Sequence, residues 1–385
     1  MFEPFPGNYV WNLSTNLALM CGGNIGEIDE ACRPIREAAV KGEDAGTAQF
    51  FDSWMRVANQ VIMHGKDDET AARTLSAGIK YQRAAGYLLA AERMQSRDYA
   101  PRWEAYRTGL ALFRRGMELQ GANCEFVSIP YEGSSYPGLF VKAPGQNGRT
   151  APTMVSCNGL DSMKEQIFGA GNPAAFLKRG VSTLVIDQPG TGEALRINKL
   201  PGRFDSEAWA SAAVDYLETR DDVDKNRIGM FGVSLGGYFS PRATALEKRF
   251  ALCAVLGANH NWGELQKKRL AREGDRPVPH YWDHVMWVFD KASLDEFMDF
   301  APNMTLNGVV EKIEVPFLVT HGIGDRQIPV ADAHQSYEQA SNSPKRELKI
   351  FDESYFEIEH CGADNGTVAR DFIADWVSET FAEMG

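Results

Sequence analysis

Residues 228–237 read Ile-Gly-Met-Phe-Gly-Val-Ser-Leu-Gly-Gly, and no other stretch narrows the possible folds as far. They contain a G-x-S-x-G turn, Gly232-Val233-Ser234-Leu235-Gly236. Such a turn has meaning only between a strand and a helix. Ile228–Phe231 is apolar enough for the strand, and Gly236–Glu247 can form the helix. The serine must then sit in a sharp, strained bend, and side chains at 232 and 236 would crowd neighbouring backbone. The bend lifts the serine Oγ above the sheet, and the helix aims its positive end at developing negative charge. With 36 glycines in 385 residues, roughly 0.17 such matches are expected by chance. The strand–turn–helix context is what makes this one informative.

The chain changes character near residue 121. Before it, the sequence reads as helices at about Thr47–Met63, Glu69–Met94 and Trp103–Met117, the last with an apolar stripe at Trp103, Tyr106, Leu110, Phe113 and Met117. After it, eight short apolar runs are bounded by glycine or proline: Glu125–Ile129, Gly138–Lys142, Thr153–Cys157, Thr183–Asp187, Ile228–Phe231, Leu252–Leu256, Phe317–Thr320 and Leu348–Phe351. Helical stretches separate most of them, so an α/β fold with a mostly parallel eight-stranded sheet is expected. The first two runs are close enough to be a hairpin. The expected domains are a helical N-terminal segment 1–120 and a catalytic domain 121–385. Residues 262–315 hold no strand candidate and carry Trp262, Tyr281, Trp282, Trp287, Phe289, Phe297 and Phe300. The segment is too long for a plain loop. It is either extra core or a lid over the carboxyl ends of the strands, where open α/β sheets bind ligands.

Composition excludes several partners. The net charge of −12 opposes a phosphate backbone, so nucleic acid is not expected. No apolar run approaches 18 residues, so no membrane helix is expected. The first basic residue is Arg33, which leaves no charged leader, and a cytoplasmic location is expected. The six cysteines are scattered, with no pair or Cys/His cluster at metal spacing, and are read as reduced thiols. A dinucleotide turn fails as well: after Gly190-Thr-Gly192 the third glycine position is Leu195.

A serine nucleophile needs a base, and the base needs an orienting carboxylate. In a fold of this kind the chain order is Ser, then Asp or Glu, then His. His360 follows the last strand candidate by a short loop and is the expected base; His321, at the end of the strand before, is expected to be structural. Asp325 stands in His321-Gly-Ile-Gly-Asp325, where two glycines let the chain turn back towards His360. Asp332 has a simpler explanation as a first-turn carboxylate of the next helix. The oxyanion hole is expected from the Leu235 amide and from Gly159 or Leu160, in the loop after the third strand. Ser162-Met-Lys-Glu165 has the spacing of a helix capping box.

These residues resemble the α/β-hydrolase superfamily. Within it, Asn158-Gly-Leu-Asp-Ser-Met-Lys-Glu165, Asp187-Gln-Pro-Gly-Thr-Gly-Glu193, the Ser234 turn, His321–Asp325 and Glu359-His-Cys361 are similar to the group of pseudooxynicotine-type hydrolases, fungal polyketide-shortening hydrolases and FrsA-type esterases. The resemblance implies an α/β-hydrolase fold with a helical cap, a Ser234–His360–Asp325 triad and a small-molecule substrate. It calls for no metal and no organic cofactor. With the helical N-terminal segment it points to a homodimer. It also implies a catalytic part for Glu165, against the capping-box reading. The chain departs from the group in opening this loop with Asn158-Gly159 instead of two glycines.

The expected activity is hydrolysis through an acyl-enzyme of a small apolar or aromatic carbonyl compound, either at a carbon–carbon bond beside a ketone or at a carboxylic ester. The alternatives are a plain carboxylesterase of FrsA type and a non-catalytic binding protein on a hydrolase fold. A peptidase of this lineage would carry a propeller, which 120 helical residues cannot form.

Overall fold

The computed structural model describes residues 1–145 and 150–385. Residues Met1–Cys124 and Asp275–His284 make one compact unit, and Glu125–Gly274 with Val285–Gly385 make the other.

The first unit is helical, with segments Tyr9–Met20, Ile25–Cys32, Thr47–Thr70, Thr74–Arg93 and Pro101–Gln120. The first two were not foreseen. The break expected between Met63 and Glu69 falls instead at 71–73, where Ala72 takes φ +58°. No glycine or proline marks it. Asp68 instead pairs with Arg73 and Lys80 across the turn. Leu75 and Ile79, apolar residues of the expected helix Glu69–Met94, are 59% and 44% exposed, because helix Thr74–Arg93 buries Ala77, Gly78, Tyr81, Ala84 and Leu88 instead. Segment 275–284 is tied into this unit: Arg93 donates to Pro277 O at 2.7 Å, and the His280 amide donates to Asp44 Oδ1 at 2.6 Å.

The second unit is built on one eight-stranded sheet. Its strands are β1 (Glu125–Tyr131), β2 (Ser134–Val141), β3 (Ala151–Cys157), β4 (Ser182–Ile186), β5 (Val223–Val233), β6 (Leu252–Leu256), β7 (Phe317–Gly322) and β8 (Arg346–Phe351). Each contains or overlaps one of the eight apolar runs. The spatial order is β1-β2-β4-β3-β5-β6-β7-β8. β1 and β2 form a hairpin whose turn residues Glu132 and Gly133 have φ +46° and +74°, the pair of positive values that a tight two-residue hairpin requires. β2 runs antiparallel to β4, and β3 to β8 are mutually parallel. β4 and β6 are buried at every residue, as central strands of a sheet covered on both faces must be.

This topology decides where chemistry can occur. The carboxyl ends of β3 to β8 share one edge. From β3 the chain moves outward to β4, then returns to place β5 on the other side, so a crevice opens between the ends of β3 and β5. Residues 262–315 carry helices Trp262–Leu270, Tyr281–Val288 and Leu294–Phe300. Trp262 packs against Phe289 and Phe297 at centroid separations of 5.4 and 5.7 Å, and Phe289 against Phe300 at 5.0 Å. Much of the aromatic content of the segment is therefore core.

Candidate active site

Ser234 follows β5 in a left-handed backbone conformation, φ +60°, which costs a non-glycine residue about 1–3 kcal/mol. Its amide donates to Leu256 O at 2.9 Å, and its carbonyl accepts from the Gly237 amide at 2.7 Å. A Cβ on Gly232 would overlap Gly236 O, and one on Gly236 would stand 3.1 Å from Asn158 O. The small residues of G-x-S-x-G are thus required by close backbone approach.

The end of β8 leads to His360, whose ring reaches both neighbours. His360 Nδ1 lies 2.8 Å from Asp325 Oδ2, and Nε2 lies 2.8 Å from Ser234 Oγ. An ionised carboxylate only accepts, so Nδ1 carries the proton and Nε2 accepts from the serine hydroxyl. Burial disfavours the charged ring, but the Asp325 carboxylate outweighs it and holds the His360 pKa well above the ordinary histidine value. Burial also works against the Asp325 anion, and the facing His360 charge overcomes it, leaving that pKa lowered. The other Asp325 oxygen accepts from the amides of Gln327 and Ile328 at 2.7 and 3.0 Å.

His321 is buried behind this pair. Its Nε2 donates to Ile328 O at 3.0 Å and lies 3.5 Å from Asp325 Oδ2. Asp332 accepts from the amides of His260 and Asn261 at 2.9 and 3.2 Å, so it braces the loop after β6. Cys361 was not singled out from sequence. Its thiol donates to Leu256 O at 3.3 Å and lies 3.5 Å from His360 Nε2. Its place next to His360 in the chain was the available signal.

The loop after β3 brings Gly159 against Ser234: a Cβ on it would be 2.9 Å from Ser234 Cβ. Of the two amides offered for the oxyanion hole, that of Gly159 is occupied, since it donates to Ser162 Oγ at 3.0 Å. The Leu160 and Leu235 amides donate to no acceptor among the described residues.

The capping-box reading of Ser162 and Glu165 is corrected. Helix Lys164–Gly169 is entered from Met163, and the side chain that reaches back is Gln166, whose Oε1 accepts from the Met163 amide at 3.2 Å. Ser162 instead donates to Asn158 Oδ1 at 3.1 Å. Glu165 is buried, with Oε1 2.7 Å from Lys164 Nζ and Oε2 lacking any hydrogen-bond partner among the described residues. Lys164 also meets Asp187 at 3.0 Å, and Glu193. Burial pushes the Glu165 pKa up to about 7; Lys164 pulls against this, and the Asp187 and Glu193 charges add to it.

Residues 51–269 match the esterase FrsA-like family, and residues 171–382 match the prolyl oligopeptidase family. Each match spans more than half of the chain. This chain is an α/β-hydrolase of the FrsA-like family. The α/β-hydrolase is similar to alpha/beta hydrolase psoB of Aspergillus fumigatus, 30% identical over 249 residues that make up 61% of this chain and 54% of the relative. It spans little more than half the length of that relative. It is 26% identical over 331 residues to 2,6-dihydropseudooxynicotine hydrolase of Paenarthrobacter nicotinovorans, covering 85% and 83% of the two chains. The crystal structure of 2,6-dihydroxy-pseudo-oxynicotine hydrolase shares the fold of this α/β-hydrolase, with a TM-score of 0.77 at 22% identity over 96% of each chain.

Proposed function

We propose that this chain is a serine hydrolase that works through an acyl-enzyme on a small apolar or aromatic carbonyl compound, cut at a carbon–carbon bond beside a ketone or at a carboxylic ester. The observation that carries the reading is the unbroken line Ser234 Oγ–His360–Asp325, with both hydrogen bonds at 2.8 Å. Ser234 Oγ attacks the carbonyl carbon as His360 Nε2 takes its proton, and the Leu235 and Leu160 amides receive the oxyanion. The tetrahedral adduct collapses, and the bond to the leaving group breaks with its electron pair on that group. An alkoxide takes the proton from His360. Water, deprotonated by His360, then attacks the acyl-enzyme, and the acid is released as Ser234 Oγ leaves and takes that proton back from His360.

A carbon leaving group needs a stronger proton supply than an alkoxide. Glu165 supports that branch, because a carboxyl with a pKa of about 7 is protonated in a large fraction of molecules near neutrality; the proton it gives to the leaving carbon is made good by the one His360 took from Ser234, which leaves His360 neutral for the water step. The relative named 2,6-dihydropseudooxynicotine hydrolase favours the same branch. The FrsA-like match over 51–269 favours the second reading, a plain carboxylesterase. The apolar preference rests on the aromatic residues of 262–315, of which Trp282 and Trp287 remain partly exposed. In this reading the enzyme is a cytoplasmic homodimer, which light scattering on the purified protein checks for assembly.

A fluorophosphonate probe tests the reading. It should label the wild type at Ser234 and leave Ser234→Ala unlabelled, while the variant keeps the wild-type melting temperature. Turnover of p-nitrophenyl butyrate should fall by about 10⁴-fold or more in Ser234→Ala. A wild type that the probe does not label would leave the binding-protein alternative standing.

A further inference from the structure

Gln188 follows β4 and is buried, as is Asn158, which follows β3. The Gln188 side-chain amide pairs with the main chain of Asn158 in both directions. The Asn158 amide donates to Gln188 Oε1 at 3.0 Å, and Gln188 Nε2 donates to Asn158 O at 2.9 Å. This is the pattern by which one strand holds another, made here by a side chain past the end of both strands. The peptide joining Asn158 to Gly159 is therefore pinned at both ends: its carbonyl by Gln188, and its N–H by Ser162 Oγ at 3.0 Å. The Asn158 side chain closes the arrangement, donating to Ile186 O at 2.7 Å and accepting from Ser162 Oγ at 3.1 Å.

The next peptide along carries the Leu160 N–H. Its direction depends on the plane before it and on the dihedral angles of Gly159, a residue with no side chain to restrict them. A loop that must present one amide to a reacting oxygen gains nothing from that freedom. Pinning the preceding plane fixes the frame from which those angles turn, and the Ser234 turn crowding Gly159 limits the angles themselves. A carboxamide offers a donor and an acceptor on one terminal group of this length whatever the pH; an ionised Glu loses the donor, and Met keeps only a weak acceptor. Pro189 adds to the constraint by holding the Gln188 backbone in an extended conformation.

We propose that Gln188 is a positioning residue of the oxyanion hole, acting through the Asn158–Gly159 peptide to aim the Leu160 amide at the carbonyl oxygen of the substrate. It touches neither substrate nor triad. Its effect belongs to the transition state, where the oxygen carries charge, and not to substrate binding.

The inference rests on Ser234 being the nucleophile, and the test separates the two. Wild type, Gln188→Met and Gln188→Glu are compared in the full chain with p-nitrophenyl butyrate, and with a trifluoromethyl ketone that forms a tetrahedral adduct on the serine. Gln188→Met should lower kcat by about 10- to 100-fold with KM within about threefold. Its affinity for the trifluoromethyl ketone should fall by the same factor as kcat/KM, and the midpoint of its pH–rate curve should stay where it is. Gln188→Glu keeps the acceptor and should lose less. A kcat within twofold of wild type in Gln188→Met overturns the proposal. So does a shifted pH midpoint, which would place the damage in the triad. If Gln188→Met does not fold, Gln188→Glu decides, and wild-type kcat with unchanged ketone affinity overturns the proposal. Failure of the nucleophile assignment would show separately, as a wild type that neither the ketone nor a fluorophosphonate inhibits.

Discussion

Gly159 stands so close to Ser234 that a methyl group in place of its hydrogen would lie 2.9 Å from the serine Cβ and 3.3 Å from its Oγ. Real carbon atoms do not approach so closely, so any side chain at 159 must push the oxyanion loop away from the nucleophile. Gly159→Ala should therefore lower kcat by about 10²-fold, the usual effect of losing one oxyanion donor. Because the loop is buried, part of that strain should also appear as a lower melting temperature. Steady-state kinetics with p-nitrophenyl butyrate checks the first and thermal melts the second, and an unchanged kcat would show that the loop can shift without loss.

The pH dependence follows from the two charges that face each other. His360 must be neutral to accept the serine proton, and Asp325 stabilises its protonated form. The pKa is raised, so activity should be lost as pH falls through a midpoint above the value of about 6.5 for an unperturbed histidine. Asp325→Asn removes the stabilising charge and should move that midpoint down while lowering kcat by about 10⁴-fold. His360→Gln should abolish turnover. His321→Gln should leave the greater part of it, because His321 Nε2 is engaged mainly by Ile328 O. The opposite pattern would transfer the role of base to His321.

Glu165 separates the two chemistries. Glu165→Gln removes the proton but keeps the shape. The rate with a ketone cleaved at a carbon–carbon bond should fall by about 10²-fold or more, while p-nitrophenyl butyrate is much less affected. Stability gives an independent readout. The Glu165 pKa is about 7 in the folded chain, against about 4.3 in an unfolded one. A raised carboxyl pKa contributes stability that is complete below pH ~4.3 and is lost as pH rises towards ~7. Thermal melts should thus show the wild type losing ground to Glu165→Gln between about pH 4.3 and 7 and no further above that. Parallel melting curves with equal small effects on both substrates would reduce Glu165 to a structural residue.

Removing the first helices should not leave a working enzyme. Segment Asp275–His284 belongs to the helical unit and is held by Arg93 and Asp44. A chain starting at Gly121 loses those partners and leaves the faces they cover exposed. It should be insoluble or inactive. A soluble 121–385 fragment with full esterase turnover would show that the helices are dispensable.

The eight strands could be read from residues because each is or contains a short apolar run between turn formers, and for central strands such as β4 and β6 burial on both faces leaves little room for other side chains. The Ser234 turn was legible for a similar reason. Gly232 answers to the Gly236 backbone only four residues away, so part of the constraint is written locally. The order Ser, Asp, His then limited the partners to a few candidates at strand ends. Local spacing misled where the competing partner lay far along the chain. Ser162 and Glu165 have the spacing of a capping box, yet Ser162 is taken by Asn158 and Gly159, and Glu165 by the cluster of Lys164, Asp187 and Glu193. Leu75 and Ile79 fit a helical stripe, but the face that packs is lined with alanine and glycine, which carry little hydrophobic signal. The Gln188–Asn158 pair spans 30 residues and exists only because β4 folds beside β3. Contacts of that kind leave no periodicity or turn signature in either segment. They arise when the sheet brings together ends that the chain keeps apart, and they decide that the Gly159 amide is occupied while the Leu160 amide has no acceptor among the described residues.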